Sequence, residues 1–406
     1  MRSVLRRPGM LAELPTEVTA LTAVAFMVAV GFGVVAPAIA PFAEQFGVSR
    51  TAASAVISAF ALARLIMAPF VGRLVNTVGE RLLLGTGIGI VAVSSALAGL
   101  SQSYWQLLLL RGLGGLGSIM FTVSSASLLY RVTPPAMRGR AQGVYAGGFL
   151  LGGIAGPALG VVASWSLRAP FFLYAGTLAV AGYLGLYSLR HSTLAAPQSD
   201  FSDAVTLRFA LRQRTYLVAL ASTTSAQWSV IGVRSALIPL FVIGPMRLGG
   251  AWNYASFFVV SVVSGLLLGP VGRRADRHNR MPLLAGGLLC GAIGLLVLPA
   301  WSGIGGLVLA SILLGVAGAV LSVVPGALVG DIVGARGGTV VSVFQMAGDL
   351  GSVTGPLVAG WLADHRGFGA SFVVSAVVAV LPVLLLARRR TVATHPDGTA
   401  AAEPAG

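Results

Sequence analysis

Apolar residues in this chain come in blocks. Stretches of about twenty, nearly free of charge, recur from end to end, and short clusters of Arg, Gly and Pro separate them. About twenty apolar residues is what a helix needs to cross ~30 Å of hydrocarbon. The hydropathy windows fall at 18–40, 51–71, 82–100, 105–130, 140–163, 169–190, 216–243, 251–271, 281–301, 304–330, 338–361 and 369–388. The pattern predicts an all-α integral membrane protein with twelve transmembrane helices. No small-residue cleavage site follows the first block, which is read as a retained helix and not a leader.

Of the 406 residues, 56% are hydrophobic and only 10% are charged, too few charges to cover a soluble fold of this size. An even number of spans puts both termini on one face. The 27 basic residues are all arginine. Arg50, Arg168, Arg247 and Arg366 fall on the face away from the termini, and Arg64, Arg111 and Arg234 fall inside spans. The other twenty lie on the face of the termini. The positive-inside rule makes that face cytoplasmic. Orientation and contact with anionic headgroups account for the net charge of +15, so no nucleic-acid partner is expected. An arginine-only basic set with abundant Ala and Gly suggests a high-GC bacterial chain, hence a bacterial inner membrane. The lone Cys290 reads as a small core residue.

The longest polar interval, 191–215, reads as a cytoplasmic linker between six-span bundles at 1–190 and 216–390. The Ala- and Thr-rich tail 391–406 reads as disordered. The halves repeat. Gly72-Arg73-Leu74-Val75-Asn76 aligns with Gly272-Arg273-Arg274-Ala275-Asp276 at a shift of 200, and Leu107–Gly115 aligns with Leu307–Gly315 at the same shift. Gly152…Gly156-Pro157 aligns with Gly351…Gly355-Pro356 at a shift of 199. Two pseudo-symmetric six-helix bundles follow, an arrangement of secondary transporters that places the cargo between the halves near the midplane.

These segments resemble the major facilitator superfamily over essentially the whole chain. Gly72 to Arg81 is similar to that family's loop 2–3 signature. Leu107-x-x-x-Arg111-x-x-x-Gly115-x-Gly117 is similar to its fourth-helix signature. Gly148-x-x-x-Gly152-x-x-x-Gly156-Pro157 is similar to the fifth-helix pattern of drug–proton antiporters. The resemblance implies that span five slides against span eight, and span eleven against span two, during rocking. Gly148, Gly152 and Gly156 share one helix face and admit a close neighbour, as Gly351 and Gly355 would in span eleven; Pro157 and Pro356 bend their helices. A packing stripe with no role in rocking fits the same pattern. Asn76 stands where the family's loop motif carries an Asp that holds the cytoplasmic gate, while Asp276 and Arg277 remain on the other side. A weaker latch is then expected, although loop charges that only set topology would look the same.

Ionisable groups inside a bilayer are expensive, at ~3 kcal/mol on insertion scales, so each is expected to face a cavity or a partner. Asp349, ~16 Å into span eleven, is the one carboxylate well inside a span. Arg64 is ~12 Å deep in span two. The family fold places spans two and eleven side by side, which implies an Arg64–Asp349 pair across the halves. Contact with a guanidinium favours the ionised carboxylate and separation favours its proton, so the pair could carry protons or simply hold helices together. The resemblance gives Arg111 a part in proton handling and puts spans one, four, seven and ten around the cavity. Arg111 and Arg234 there favour an anionic or acceptor-rich cargo, unless Arg234 binds carbonyls freed at Pro239. Gln227, Trp228, Thr224, Tyr145 and Gln142 are further lining candidates.

No metal-ligand cluster, catalytic constellation, phosphate loop or nucleotide motif stands out, so neither an enzyme, a cofactor nor an ATP-driven pump is expected. The reading is a secondary transporter, a monomer in the bilayer with a small-molecule cargo and protons as partners, that exports a small organic molecule by alternating access. An importer or facilitator of a small anionic metabolite is the alternative within transport. A receptor or scaffold that kept the fold is the alternative outside it.

Overall fold

In the computed structural model, residues 14–133, 137–162, 165–188, 206–333 and 338–387 are described, and their regular structure is helical. The first half contains α1 (Thr16–Glu44), α2 (Arg50–Val78), α3 (Glu80–Gly99), α4 (Tyr104–Val132), α5 (Arg138–Val162) and α6 (Ala169–Ser188). The second half contains α7 (Arg214–Ile243), α8 (Gly250–Arg277), α9 (Arg280–Ala300), α10 (Ile304–Val333), α11 (Gly338–His365) and α12 (Gly367–Ala387). Twelve long helices thus stand where twelve apolar windows were expected. A short helix, Leu207–Arg212, capped by the Thr206 hydroxyl, occupies the end of the expected linker. The remainder of that linker, 191–205, and the tail 391–406 lie outside the described residues.

Helix ends follow local chemistry. The Ser49 hydroxyl accepts from the Ala52 amide and starts α2, and Asn279 caps α9 through the Met281 amide. Gly79, at φ +89°, is the single residue between α2 and α3, and only glycine enters that conformation without strain. Gly367, at φ +81°, turns α11 into α12.

Packing repeats between the halves. α1 packs on α5 as α7 packs on α11, α2 on α4 as α8 on α10, and α3 on α6 as α9 on α12. The bundles meet where α2 crosses α11, where α5 crosses α8, and where α1 meets residues 234–243 of α7. One face of the membrane carries most of the arginines and is called here the Arg-rich face. On it, Glu80 at the start of α3 is fully buried and takes Arg131 of α4 at 2.8 Å, with the Ser127 hydroxyl donating at 2.8 Å. Exactly 200 residues on, Arg280 of α9 pairs with Asp331 of α10. The repeat therefore kept the bond and reversed its polarity.

The glycine rows pack inside the bundles, against α1 and α7, and not on the α5–α8 and α2–α11 seams where sliding is expected. A Cβ at Gly148, Gly152 or Gly156 would lie 2.7, 2.4 or 2.4 Å from the carbonyl oxygens of Thr22, Phe26 and Val30, successive turns of α1. In the other half, a Cβ at Gly351 would overlap the Thr224 carbonyl oxygen of α7, and one at Gly355 would press on the Trp228 backbone. Pro157 lies against Gly33 of α1, and Pro356 against Gly232 of α7. The α5–α8 contact is made by other residues: Gly160 against Tyr254, and Leu150 and Ile154 against Gly265.

Candidate coupling and binding site

Arg64 sits at the middle of α2. Its Nε reaches the Asp349 carboxylate of α11 at 3.3 Å, and its Nη1 donates to the Ser118 hydroxyl at 2.8 Å and the Thr122 hydroxyl at 3.4 Å, both on α4. The side chains are 18% and 11% exposed, so the pair stands largely out of water. The pair implied by the resemblance is therefore present. It joins the bundles, because α2 and α4 belong to one and α11 to the other. Six residues along α2, toward the Arg-poor face, the Ser58 hydroxyl donates to the Val353 carbonyl oxygen at 2.7 Å, a second bond across the same seam.

At the Arg-poor end of this seam is a cluster that reading along the chain missed. The Asp364 carboxylate accepts from the amides of Arg50 and Thr51 at 3.1 and 2.9 Å and from the Thr51 hydroxyl at 2.6 Å. A carboxylate from one bundle thus satisfies the open N–H groups at the start of a helix in the other, where the helix dipole favours negative charge. The Arg50 guanidinium donates to the Ala363 carbonyl oxygen at 2.8 Å and lies 4.4 Å over the Phe368 ring. Burial raises the Asp364 carboxyl, but hydrogen bonds from Thr51, Arg50 and Ser49 outweigh it and hold the group below the ordinary carboxylate range. In the sequence these residues read as orientation charges at span ends. The backbone partners that give Asp364 its role carry no signature.

A third bond crosses near the same face. Pro41 has no N–H, so the Pro37 carbonyl one turn earlier lacks its helical donor. The buried Asn253 side chain of α8 supplies one at 2.9 Å. Toward the Arg-rich face, a Cβ at Gly72, Gly143, Gly147 or Gly272 would meet nothing within 4 Å. Gly72, Arg73, Asp276 and Arg277 lie on that side, with Arg73, Asp276 and Arg277 exposed. Among the described residues, no hydrogen bond or ion pair links Arg73 to Asp276 or Arg277. Asn76 falls in the last turn of α2, and its side chain lies outside the described residues. Among the described residues, the side-chain bonds between the bundles therefore lie at mid-membrane and toward the Arg-poor face.

Arg111 of α4 is 3% exposed and stacks 4.6 Å from the Phe60 ring of α2. Arg234 of α7 stacks 4.5 Å from the Phe257 ring of α8. Each has a buried Nε with no acceptor. The expected binding of Arg234 to carbonyls freed at Pro239 is not found among the described residues. Instead α7 widens into a π segment, Gln227–Val233, that ends directly before Arg234. Such segments gather at functional positions.

The other lining candidates divide. Gln227 packs beside Gly348 of α11, with its Oε1 buried and unsatisfied. The Trp228 indole donates to the Ser375 hydroxyl of α12 at 3.4 Å and its backbone lies against Gly355, so its described contacts are within its own bundle. The Thr224 hydroxyl donates to the Leu220 and Ala347 carbonyls. Tyr145 meets Phe149, one turn on in α5, edge-on at 5.3 Å, and Phe149 in turn meets Phe121 of α4. Gln142 is exposed near the Arg-rich end of α5. A cavity of about 530 Å³ opens on the flank between α7 and α12, and none of the four charged groups lines it.

The family model described as "Major Facilitator Superfamily" matches residues 21–299 and 233–405. The chain is similar to the multidrug resistance protein MdtG of Klebsiella pneumoniae (strain 342), 29% identical over 391 residues that cover 92% of this chain and 94% of that protein. It is 30% identical to MdtG of Enterobacter lignolyticus (strain SCF1) over 390 residues, 91% of each. Among solved structures, a POT family transporter in complex with 5-aminolevulinic acid superposes at a TM-score of 0.76 with 11% identity, covering 92% of this chain and 95% of that one. A bacterial homolog of the human lysosomal transporter Spinster, described as inward-facing and unoccupied, superposes at 0.71 with 15% identity, covering 91% and 95%. At such identities the superpositions establish the fold.

Proposed function

The chain belongs to the major facilitator superfamily, and we propose that it is a proton-coupled exporter of small organic molecules working by alternating access. It is a multi-pass membrane transporter and not an enzyme. The observation that carries the proposal is the Arg64–Asp349 pair, a carboxylate and its counter-charge held by opposite bundles at mid-membrane. When the bundles rock apart along the α2–α11 seam, Asp349 loses its cation in a poorly hydrated place, and a buried carboxylate without a counter-charge takes up a proton. When they close, Arg64 returns and the proton leaves. That cycle ties proton binding to which face is open, as exchange of a cargo for protons requires.

The direction of transport is supported by the MdtG relatives, whose printed name is multidrug resistance protein. The arginine asymmetry supports an orientation with the Arg-rich face on the cytoplasmic side of a bacterial inner membrane. The test is dye uptake into energised inverted vesicles, with external and lumenal pH recorded. Uptake driven by an acid-inside gradient, accompanied by proton release and abolished by Asp349→Asn, is the expected result. Gradient-driven uptake that persists at the wild-type rate in Asp349→Asn sinks the proposal.

A further inference from the structure

We propose that the cargo is a small organic anion, held by the guanidinium groups of Arg111 and Arg234, one from each bundle. The assignment deepens the transport reading above and rests on it for the existence of a cargo site. It begins from the charges inside the spans: Arg64, Arg111 and Arg234 against one deep carboxylate, Asp349. Asp349 is already bound to Arg64. The other two arginines make no hydrogen bond or ion pair among the described residues, and each has a buried Nε with no acceptor.

A buried guanidinium with no acceptor is costly, and each carries five N–H donors in one plane. The phenyl rings of Phe60 and Phe257 cover one face of each plane, at 4.6 and 4.5 Å. A ring over the face leaves the edges unspent, and the edges are what a carboxylate, sulfonate or phosphonate binds. The depths match as well. Arg111 stands seven residues from the start of α4 and Arg234 nine residues from the end of α7, about 10 and 14 Å from the Arg-poor face at the helical rise. Both stand toward the Arg-poor face, where bonds between the bundles lie, and a cargo entering from the Arg-rich face would come to rest there. A cationic cargo there would meet two uncompensated positive charges and a carboxylate already taken. The π segment places Arg234 differently from a continuous α-helix, and it sits in the same half-helix as the unsatisfied Gln227 Oε1, an acceptor that an ammonium or hydroxyl on the same molecule could use.

The test uses the full chain, purified in detergent and reconstituted in liposomes. Benzoate, benzamide and benzylamine share one ring and differ in charge, and thermal stabilisation by each is titrated. Uptake of carboxyfluorescein is compared with uptake of the cationic dye rhodamine 6G. Expected are stabilisation by benzoate alone of the three, competition of benzoate with carboxyfluorescein, and an affinity loss of roughly tenfold or more in Arg111→Gln and in Arg234→Gln, the scale of a lost hydrogen bond to a charged group. Arg111→Lys and Arg234→Lys, which keep the charge, should lose less. Stabilisation by benzylamine equal to that by benzoate, or Gln variants that bind benzoate like the wild type, overturns the proposal. If a Gln variant fails to fold, charge selectivity in the wild type and the Lys variants decides. Anion binding through both arginines without proton movement would sink the coupling reading and leave this one standing. Proton-coupled rhodamine uptake indifferent to both arginines would do the reverse.

Discussion

Arg64 distributes one guanidinium over two helices besides its own, binding Asp349 on α11 and Ser118 and Thr122 on α4. Removing it strands a largely buried carboxylate. Breaking a buried pair on one side costs about 3–5 kcal/mol, whereas removing both partners costs far less. Arg64→Ala and Asp349→Ala should therefore each lower the unfolding midpoint in detergent more than the double variant does, as a thermal-unfolding cycle will show. Additive losses would mean that the two groups do not depend on each other. The pair was legible because both residues are chemically out of place in an apolar span, and the implied neighbourhood of α2 and α11 left few partners for Asp349. The Ser375 bond of Trp228 was not legible, for the complementary reason. An aromatic in a span is ordinary, and only the helix rotation decides whether it faces a cavity or Ser375. The π segment before Arg234 was also invisible, since no proline or glycine pair marks its start and Pro239 lies beyond its end.

Helix contacts in this fold are set by backbone approach and by which backbone groups are left over. Gly152 lies against the Phe26 carbonyl oxygen, while its neighbour Gly153 faces open space. Gly152→Ala should cost about 1–3 kcal/mol by overpacking and Gly153→Ala should be near neutral, a contrast that thermal unfolding checks. Proline leaves carbonyls without donors, and the neighbouring helices supply them. Asn253 donates to Pro37 beneath Pro41, and the Ser225 hydroxyl donates to Val378 beneath Pro382. The repeat also predicts a tolerance. Because Arg280–Asp331 realises the Glu80–Arg131 bond with reversed signs, Glu80→Arg alone should abolish stable expression, and Glu80→Arg with Arg131→Glu should restore it. A double variant as poorly expressed as the single one would show that α3 and α4 need this polarity. Self-similarity gave the halves from a handful of glycines and arginines. It could not reveal that the glycine rows face α1 and α7, because a small-residue face does not name its partner.

At the scale of the whole molecule, two devices push the same way. The Arg-poor face is held by Asp364 on the start of α2, with Arg50 over Phe368 and Asn253 on Pro37. On the Arg-rich face, Asn76 replaces a charged residue of the family motif, and the glycines of both halves there face open space. A resting population with the Arg-rich face open follows. The Asp364 carboxyl is held below its ordinary value, so the stabilisation it gives is complete above the unfolded value of about 3.9 and is lost only as pH falls through the lower folded value. Between pH 8 and 5 the Asp364 carboxylate itself should therefore stay ionised, which leaves any sensing in that range to other groups, among them Glu44 beside it, whose carboxyl burial raises against the opposing pull of Arg50. Asp364→Asn removes the anion and should cost about 1 kcal/mol, the scale of a helix cap, or roughly a fivefold change in the ratio of the two states. Spin labels at Gln102 and Ser302, on loops of the two bundles at the Arg-poor face, report that ratio once Cys290 is replaced by Ala. The wild-type distance distribution should be the same at pH 8 and pH 5, and Asp364→Asn should add a longer component at both. Asn76→Asp, which strengthens closure on the opposite face, should lengthen the same distance, and the two substitutions should add because they lie at opposite ends of the helices. A wild-type distance that lengthens at pH 5, with no further change in Asp364→Asn, would make Asp364 the proton sensor and overturn its assignment as a pH-insensitive latch.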